Sequence, residues 1–364
     1  MVQIRAAVAV EKGAPLVFRE FEIAEPEGNE ILVKTIASGV CHTDLLLRDE
    51  MFGPALPAVP GHEGAGIVIA IGPTVQHIKV GDHVLSTQGF CGGCNSCRGA
   101  HPMNCEHYVQ YNITGKRPNG KASFVGSEVS ANYVGQSSFA THMLVTENNA
   151  VKLPNDLDLV LAAPLGCGLV TGSSTVFNVL KPRPGSSIIV FGAGAVGLAA
   201  VMAAKAAGCA GIVIVDLHKP RLEIAKEVGA THAFVANEVD IIKKCRELFA
   251  GGTDFGVDAV GLPTTAKSML ECLRPGGHAV LVGANGFGNT TDLELGTLIF
   301  NRTIQGAILG DQVPQITIPE LVELSRQGRF PYEKLIRTYA FDDINQAIED
   351  SETGKVIKPV ITFN

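Results

Sequence analysis

Residues 187–216 read SIIVFGAGAVGLAAVMAAKAAGCAGIVIVD. A β-branched run meets Gly192-Ala-Gly194-Ala-Val-Gly197, an alanine-rich helical stretch follows, and a second β-branched run closes on Asp216 nineteen residues after Gly197. A bare G-x-G-x-x-G says little. With a strand before it, a helix after it and an acid about twenty residues on, it reads as the phosphate-binding turn of a dinucleotide fold. Gly192 makes the tight turn, Gly194 lets backbone approach a pyrophosphate, and Gly197 lets helix and strand pack closely. The helix N-terminus offers free N–H groups and partial positive charge to the phosphates. Asp216 is expected to accept hydrogen bonds from the adenosine ribose and to repel a 2′-phosphate. No arginine follows it directly (Leu217, His218, Lys219), so NAD is preferred over NADP, with Arg221 flanking the same ribose.

Outward from this stretch the texture changes twice. Up to about Ala150 the chain is short β-runs cut by Gly and Pro turns, such as EILVKTIASGV, GAGIVIAIGPTV and GDHVLST, which suits a compact, partly open barrel. From about Pro184 strands alternate with helical stretches, the pattern of a parallel sheet with crossover helices. After about Leu309 a helical segment (PELVELSRQGRF) and a final strand (KPVITF) resemble the first half again. The expected division is therefore residues 1–169 and 309–364 as one domain, with 170–308 inserted as a doubly wound cofactor domain. The run from Ile188 to Ala204 is apolar, but three glycines punctuate it and it is slightly short for a membrane span. A buried strand leading into a buried helix explains it better.

Six cysteines and one histidine fall into two ligand patterns. Cys91, Cys94, Cys97 and Cys105 are spaced C-x2-C-x2-C-x7-C within a lobe of about 90–110. The spacing confines four sulfurs to one loop, and four thiolates close a tetrahedral shell around zinc, the mark of a structural site. A four-thiolate iron–sulfur cluster is the alternative, but nothing else in the chain suggests electron transfer. Cys41, His62 and Cys167 are dispersed, each in its own glycine-bearing turn (GVCHTD, PGHEGAG, PLGCG). A Cys2His set leaves one coordination position open, as catalytic zinc requires. Asp44 and Glu63 adjoin these ligands and are natural carboxylate supports for a metal-bound imidazole.

Composition excludes several classes. The 364 residues carry a net charge of −7 without acidic or basic blocks, which argues against nucleic acid or an anionic membrane as partner. Nine cysteines without a secretory leader point to a reducing, cytoplasmic setting and to metal binding rather than disulfides. Cys209, Cys245 and Cys272, outside both patterns, read as core thiols.

The motifs CHTD, GHEGAG, the four-cysteine lobe, PLGCG and GAGAVG, in this order, resemble the zinc-dependent medium-chain alcohol dehydrogenases over essentially the whole chain. Within that superfamily CHTDLLLRD, SSFATHMLVTENNAVKL and FDDINQAIEDSETGKVIKPVI look most like the bacterial aryl-alcohol (benzyl alcohol) dehydrogenases. The resemblance implies a GroES-like catalytic domain, a Rossmann domain, an active site in the cleft between them, and a homodimer or homotetramer joined through cofactor domains. It implies two zincs per chain, NAD, and reversible oxidation of a primary aryl or allylic alcohol to the aldehyde.

Residue by residue, the resemblance makes Cys41, His62 and Cys167 the catalytic zinc ligands, with Glu63 at the same metal. It makes Thr43 the hydroxyl that takes the alcohol proton towards the nicotinamide ribose. Thr171, Val196, Val260, Val282 and Lys358 would touch the cofactor, and His42 would face its pyrophosphate. Thr87, Tyr133, Val134, Ala284 and Leu309 would line the substrate pocket. Two competing activities share parts of this pattern. Glutathione-dependent formaldehyde dehydrogenases share CHTD and PLGCG, whereas polyol dehydrogenases usually replace the third zinc ligand by glutamate. A non-catalytic NAD-binding protein with structural zinc only would be missing a catalytic ligand, and all three are present.

Two positions depart from the family pattern. Many relatives carry histidine where this chain has Leu46, to pass the relayed proton to solvent, and several use arginine where it has His42. A mostly neutral imidazole should hold the cofactor less firmly than arginine. Leucine carries no proton, so the relay ends at the ribose or leaves through water. Leu46→His should therefore change the pH dependence of turnover; superimposable pH–rate profiles for the two enzymes would rule the idea out.

Overall fold

The computed structural model describes residues 2–284, 286 and 288–363. In chain order the strands are β1 (Val2–Val8), β2 (Val17–Ile23), β3 (Glu30–Gly39), β4 (Gly64–Ile71), β5 (His83–Ser86), β6 (His142–Thr146) and β7 (Ala150–Lys152). Then come β8 (Ser187–Phe191), β9 (Gly211–Asp216), β10 (His232–Val235), β11 (Thr253–Asp258), β12 (Leu273–Leu281) and β13 (Thr303–Gly306), and finally β14 (Ile336–Ala340) and β15 (Lys358–Thr362). The chain forms two compact units, one of residues 1–167, 313–319 and 335–364, the other of 168–312 and 320–334.

In the first unit a seven-stranded sheet runs β14-β15-β3-β4-β5-β7, with β6 also paired to β3. The three residues Glu147–Asn149 connect β6 to β7, so one segment pairs first with β3 and then with β5. The sheet thereby curls back on itself into a partly open barrel. Its interior is filled by Ile31, Val33, Val68, Ile78, Val84, Met143, Val145 and Ala150, all buried. Between them along β3 and β6 stand Leu32 and Leu144, which are buried in a second core cluster, so the two-residue period here sends alternate side chains into two cores.

The second unit holds a six-stranded parallel sheet in the order β10-β9-β8-β11-β12-β13. Counted within the sheet this is 3-2-1-4-5-6, the doubly wound dinucleotide-binding order, whose direction reverses between β8 and β11. β8 is buried at every position and β9 at all but its last, as strands covered by helices on both faces should be. The apolar stretch Ile188–Ala204 divides into β8 and the helix Ala195–Ala206, both in the core. Among the described residues no single helix is long and apolar enough to cross a membrane. A Cβ on Gly197 would lie 1.8 Å from the Gly192 carbonyl oxygen, so only glycine lets this helix start against the turn.

Two expectations need adjustment. Residues 320–334 group with the second unit, although the texture after Leu309 suggested one uninterrupted return to the first. The boundary at Pro319 falls inside one continuous helix, Pro314–Arg326, where no turn signal marks it. Beyond it Leu321, Val322, Phe330 and Tyr332 are buried, and Arg329 donates to the Ala206 carbonyl at 2.8 Å. Of the three remaining cysteines, Cys245 and Cys272 are core residues, whereas Cys209 is only half-buried.

Candidate active site and metal centres

The first unit brings three distant turns together. Cys41 follows β3 and occupies the N-cap of the helix His42–Arg48; His62 and Glu63 immediately precede β4; Cys167 ends the short helical run Leu159–Gly166. One ligand atom from each of Cys41, His62, Glu63 and Cys167 lies within 4.8 Å of the others.

Asp44 sets this geometry. Its buried carboxylate accepts from the Cys41 N–H (3.0 Å), the Gly61 N–H (2.9 Å) and His62 Nδ1 (2.6 Å). One side chain thus caps the helix, fixes the Pro-Gly-His turn and assigns the imidazole tautomer, with Nδ1 protonated towards Asp44. The opposite nitrogen, Nε2, is buried and has no hydrogen-bond partner among the described residues. A buried imidazole nitrogen without a partner is costly, and two sulfurs stand within ligand distance of it. Burial alone would depress His62, but the Asp44 carboxylate outweighs it and pushes the imidazole well above its usual range. The hydrogen bond from Cys167 holds the Cys41 thiol well below the usual thiol range, and the same bond pushes Cys167 well above it. Two sulfurs that share one proton, beside an imidazole whose Nδ1 is committed to Asp44, fit a divalent cation that draws both as thiolates.

Behind the ligands lies a buried ion pair. Lys358 donates to Glu63 at 2.7 Å and to the Val40 carbonyl at 3.1 Å. β15 pairs with β3 through Val360 and Gly39, which carries Lys358 to the end of β3 beside Cys41. A Cβ on Gly39 would lie 1.9 Å from Glu63 Oε2, so glycine there makes room for the carboxylate. Burial pushes Glu63 up despite Lys358; burial would lower Lys358, but Glu63 reverses that and raises it. The cofactor contact expected of Lys358 is therefore corrected: its ammonium is buried and committed to Glu63. A buried ammonium has to be paired, and the carboxylate is its nearest counter-charge.

Thr43 Oγ1 lies 3.8 Å from Cys41 Sγ, His42 is exposed, and Leu46 is buried one turn further along the same helix. The expected pocket residues behave differently from one another. Thr87 and Tyr133 present no surface, Val134 and Leu309 are buried, and Ala284 is exposed in the second unit. As a pocket wall Tyr133 needs correction, because its phenol turns inward and donates to the Thr43 carbonyl at 2.7 Å. Gln136, unsuspected from sequence, donates to the His62 carbonyl (2.8 Å) and accepts from Gly64 N–H (2.9 Å), which clamps the His62–Glu63 turn. Tyr108 is held up to about 12 by burial, with the negative charge of Cys167 adding to it. Nothing in their local sequence distinguishes these residues from core polar groups.

In the lobe, Cys91 Sγ–Cys97 Sγ is 3.9 Å and Cys94 Sγ–Cys105 Sγ is 4.0 Å. A tetrahedron with metal–sulfur bonds of about 2.3 Å has edges of about 3.8 Å, whereas a disulfide would bring sulfurs to about 2 Å. Backbone N–H groups of Cys91, Gly93 and Cys94 point at sulfurs at 3.3–3.4 Å. The N–H groups of Cys97 and Glu106 draw the Cys94 thiol down to about 6. These donors stabilise thiolates and fit a cation held by all four.

In the second unit Gly192, Asp216, Val260 and Val282 lie at or just beyond the carboxyl ends of β8, β9, β11 and β12, flanking the point where strand order reverses. Gly194 caps the helix Ala195–Ala206, and a Cβ there would meet nothing within 4 Å, leaving open space at the helix N-terminus. Asp216 accepts from Ala193 N–H (2.6 Å) and His218 N–H (2.7 Å), so it braces the glycine turn as well as facing outward. Arg221 Nε is buried without a partner among the described residues, and Val196 is half-buried. Thr171 lies buried in the helix Gly168–Ser174. The open helix terminus and the acid beside it fit a dinucleotide.

Comparison with known proteins agrees with this geometry. Residues 27–155 match the alcohol dehydrogenase GroES-like domain and residues 195–327 the zinc-binding dehydrogenase domain. Geraniol dehydrogenase of Castellaniella defragrans is 38% identical over 367 residues, covering 100% of this chain and 98% of that protein. S-(hydroxymethyl)glutathione dehydrogenase of Synechocystis is 34% identical, covering 99% of each. The crystal structure of benzyl alcohol dehydrogenase from Acinetobacter calcoaceticus superimposes with a TM-score of 0.97 at 41% identity, over 100% of both chains. The chain belongs to the zinc-dependent medium-chain alcohol dehydrogenases, built from a GroES-like and a Rossmann domain. It is therefore an oxidoreductase of a family that uses zinc and NAD(H).

If Asp44 orients His62 for a metal, Asp44→Asn should weaken zinc binding at the catalytic site by about 10- to 100-fold. Chelator competition on the purified protein measures this, and an unchanged zinc affinity would remove Asp44 from the metal centre.

Proposed function

We propose that the protein catalyses reversible, NAD-dependent oxidation of primary aryl or allylic alcohols to aldehydes, with one catalytic and one structural zinc per chain. The observation that carries this reading is the convergence of Cys41, His62 and Cys167, whose ligand atoms lie within 4.8 Å of one another beside an imidazole oriented by Asp44. The similarity to proteins named for geraniol and for benzyl alcohol supports the substrate class.

Cys41, His62 and Cys167 would hold the catalytic zinc, and Cys91, Cys94, Cys97 and Cys105 the structural one. Bound there, zinc supplies Lewis acidity that lowers the pKa of an alcohol hydroxyl, and NAD supplies the hydride acceptor. The chain does the rest. Thr43 takes the hydroxyl proton, and Leu46 leaves that relay without a side-chain exit. Asp44 keeps His62 in the tautomer that frees Nε2. Lys358 neutralises Glu63, so that charge does not accumulate behind two thiolates. Gly192–Gly197 and the helix they open receive the pyrophosphate, while Asp216 accepts from the ribose and repels a 2′-phosphate.

A glutathione-dependent formaldehyde dehydrogenase is the second reading, favoured by the Synechocystis relative. Steady-state rates with benzyl, cinnamyl, geranyl and ethyl alcohols, and with formaldehyde with and without glutathione, separate the two. We expect the highest kcat/KM with aryl or allylic alcohols and NAD. Formaldehyde turnover that requires glutathione and exceeds them all would overturn the first reading. Metal analysis should return two zincs per chain, whereas a single zinc would indicate an NAD-binding protein without the catalytic centre.

The chain is also expected to form a homodimer or homotetramer through its cofactor domains. β13 is the last strand of its sheet, and Leu295, Ile299 and Phe300 close by in sequence are more than half exposed. An open edge with adjacent apolar surface favours a partner strand. Light scattering on the eluted peak should give two or four times the chain mass; a monomer at micromolar concentration would end this proposal.

A further inference from the structure

Tyr133 is fully buried, yet it has one polar atom to satisfy. Its phenol spends its proton on the backbone carbonyl of Thr43, 2.7 Å away and 90 residues distant in sequence. Thr43 is the second residue of the helix His42–Arg48, and a carbonyl has two lone pairs, so it can accept from the phenol and still serve the helix. Asp44 also holds this helical turn, through the Cys41 N–H. The first turn is therefore tied at two points, one at the metal-ligand residue and one at the hydroxyl-bearing residue.

The ring of Tyr133 is equally constrained. It meets the His62 ring edge-on, with centroids 6.0 Å apart and planes at 84°, and the Phe52 ring at 6.4 Å and 72°. A Cβ on Gly53 would lie 2.9 Å from its Cε2 atom. Its own N–H donates to Ser137 Oγ (2.9 Å), which donates on to the Val59 carbonyl (2.7 Å). The next residue, Val134, has φ 49° and ψ 39°, and Ser137 has φ 58°. A β-branched residue in the left-handed region costs on the order of 1–3 kcal/mol and persists only where its surroundings enforce it. This strained turn sets the direction in which Tyr133 leaves the backbone.

We propose that Tyr133 is a positioning residue for proton transfer: through the Thr43 carbonyl it holds the Thr43 hydroxyl over the Cys41–His62–Cys167 cluster. The proposal rests on the reading of Thr43 as the group that takes the alcohol proton. Tyr133→Phe keeps the ring, its contact with His62 and its volume, and removes only the hydrogen bond. The first helical turn then loses one of its two ties, and small displacements of a reacting group are amplified in rate.

The test is a double-mutant cycle of Tyr133→Phe and Thr43→Val, assayed with benzyl alcohol and NAD. Zinc content and thermal unfolding are measured on every variant to confirm that each holds its metal and its fold. We expect Tyr133→Phe to lower kcat about tenfold in the parent enzyme, with KM for NAD and zinc content unchanged. The solvent deuterium isotope effect should grow as proton transfer becomes more rate-limiting. In the Thr43→Val background the same substitution should change kcat by less than about twofold, because the hydroxyl being positioned is gone. Equal losses of kcat in both backgrounds, or no loss in either, would overturn the proposal and leave Tyr133 a packing residue. Full activity of Thr43→Val would instead defeat the reading of Thr43, and this inference with it.

Discussion

The Asp44 carboxylate organises the catalytic half of this protein. Three turns remote in sequence must present two sulfurs and one ring nitrogen to a common point, and no hydrophobic contact has the directionality to arrange that. Asp44 ties two of the three, because its two oxygens accept from the Cys41 backbone, the Gly61 backbone and the His62 ring at once. Hydrogen bonds to a buried carboxylate are short, strong and expensive to leave unmade. The same bonds that terminate β3 and introduce β4 therefore also fix the imidazole, and fold and site share one anchor.

Charge balance is the second constraint on this region. Asp44, Glu63 and two cysteines crowd into one buried space, and an isolated carboxylate there would be neutralised by protonation rather than tolerated. The chain answers with Lys358, brought by the last strand to within 2.7 Å of Glu63. Residues in the metal centre thus depend on the far end of the polypeptide. The return of the chain to the first unit after the dinucleotide-binding fold completes the electrostatics as well as the barrel.

The second unit solves a different problem by a different means. Its site is built from backbone, with open space at Gly194, a close turn at Gly192 and Gly197, and an acid that braces the loop. Few side chains are needed because helix N–H groups and a partial positive charge already suit phosphate. The result is a candidate cofactor site written in consecutive residues, whereas the candidate metal site of the first unit is assembled from pieces.

This contrast explains how much was legible in the sequence. The strand–glycine turn–helix–acid run and the four-cysteine lobe depend on spacings of a few residues, so chain order alone decided the Rossmann unit and marked the lobe as a candidate metal site. The alternation of short strands likewise marked the barrel, and the family motifs marked Cys41, His62 and Cys167. Pairings across long separations were not readable. Lys358 and Glu63 are 295 residues apart, Tyr133 and Thr43 are 90 apart, and residues 320–334 join the second unit from within an unbroken helix. Local composition constrains backbone conformation and the reach of a loop, but which buried polar groups face each other follows from how strands register and helices pack. That is why the kinds of chemistry were visible in the chain, while the partners that orient it emerged only in three dimensions.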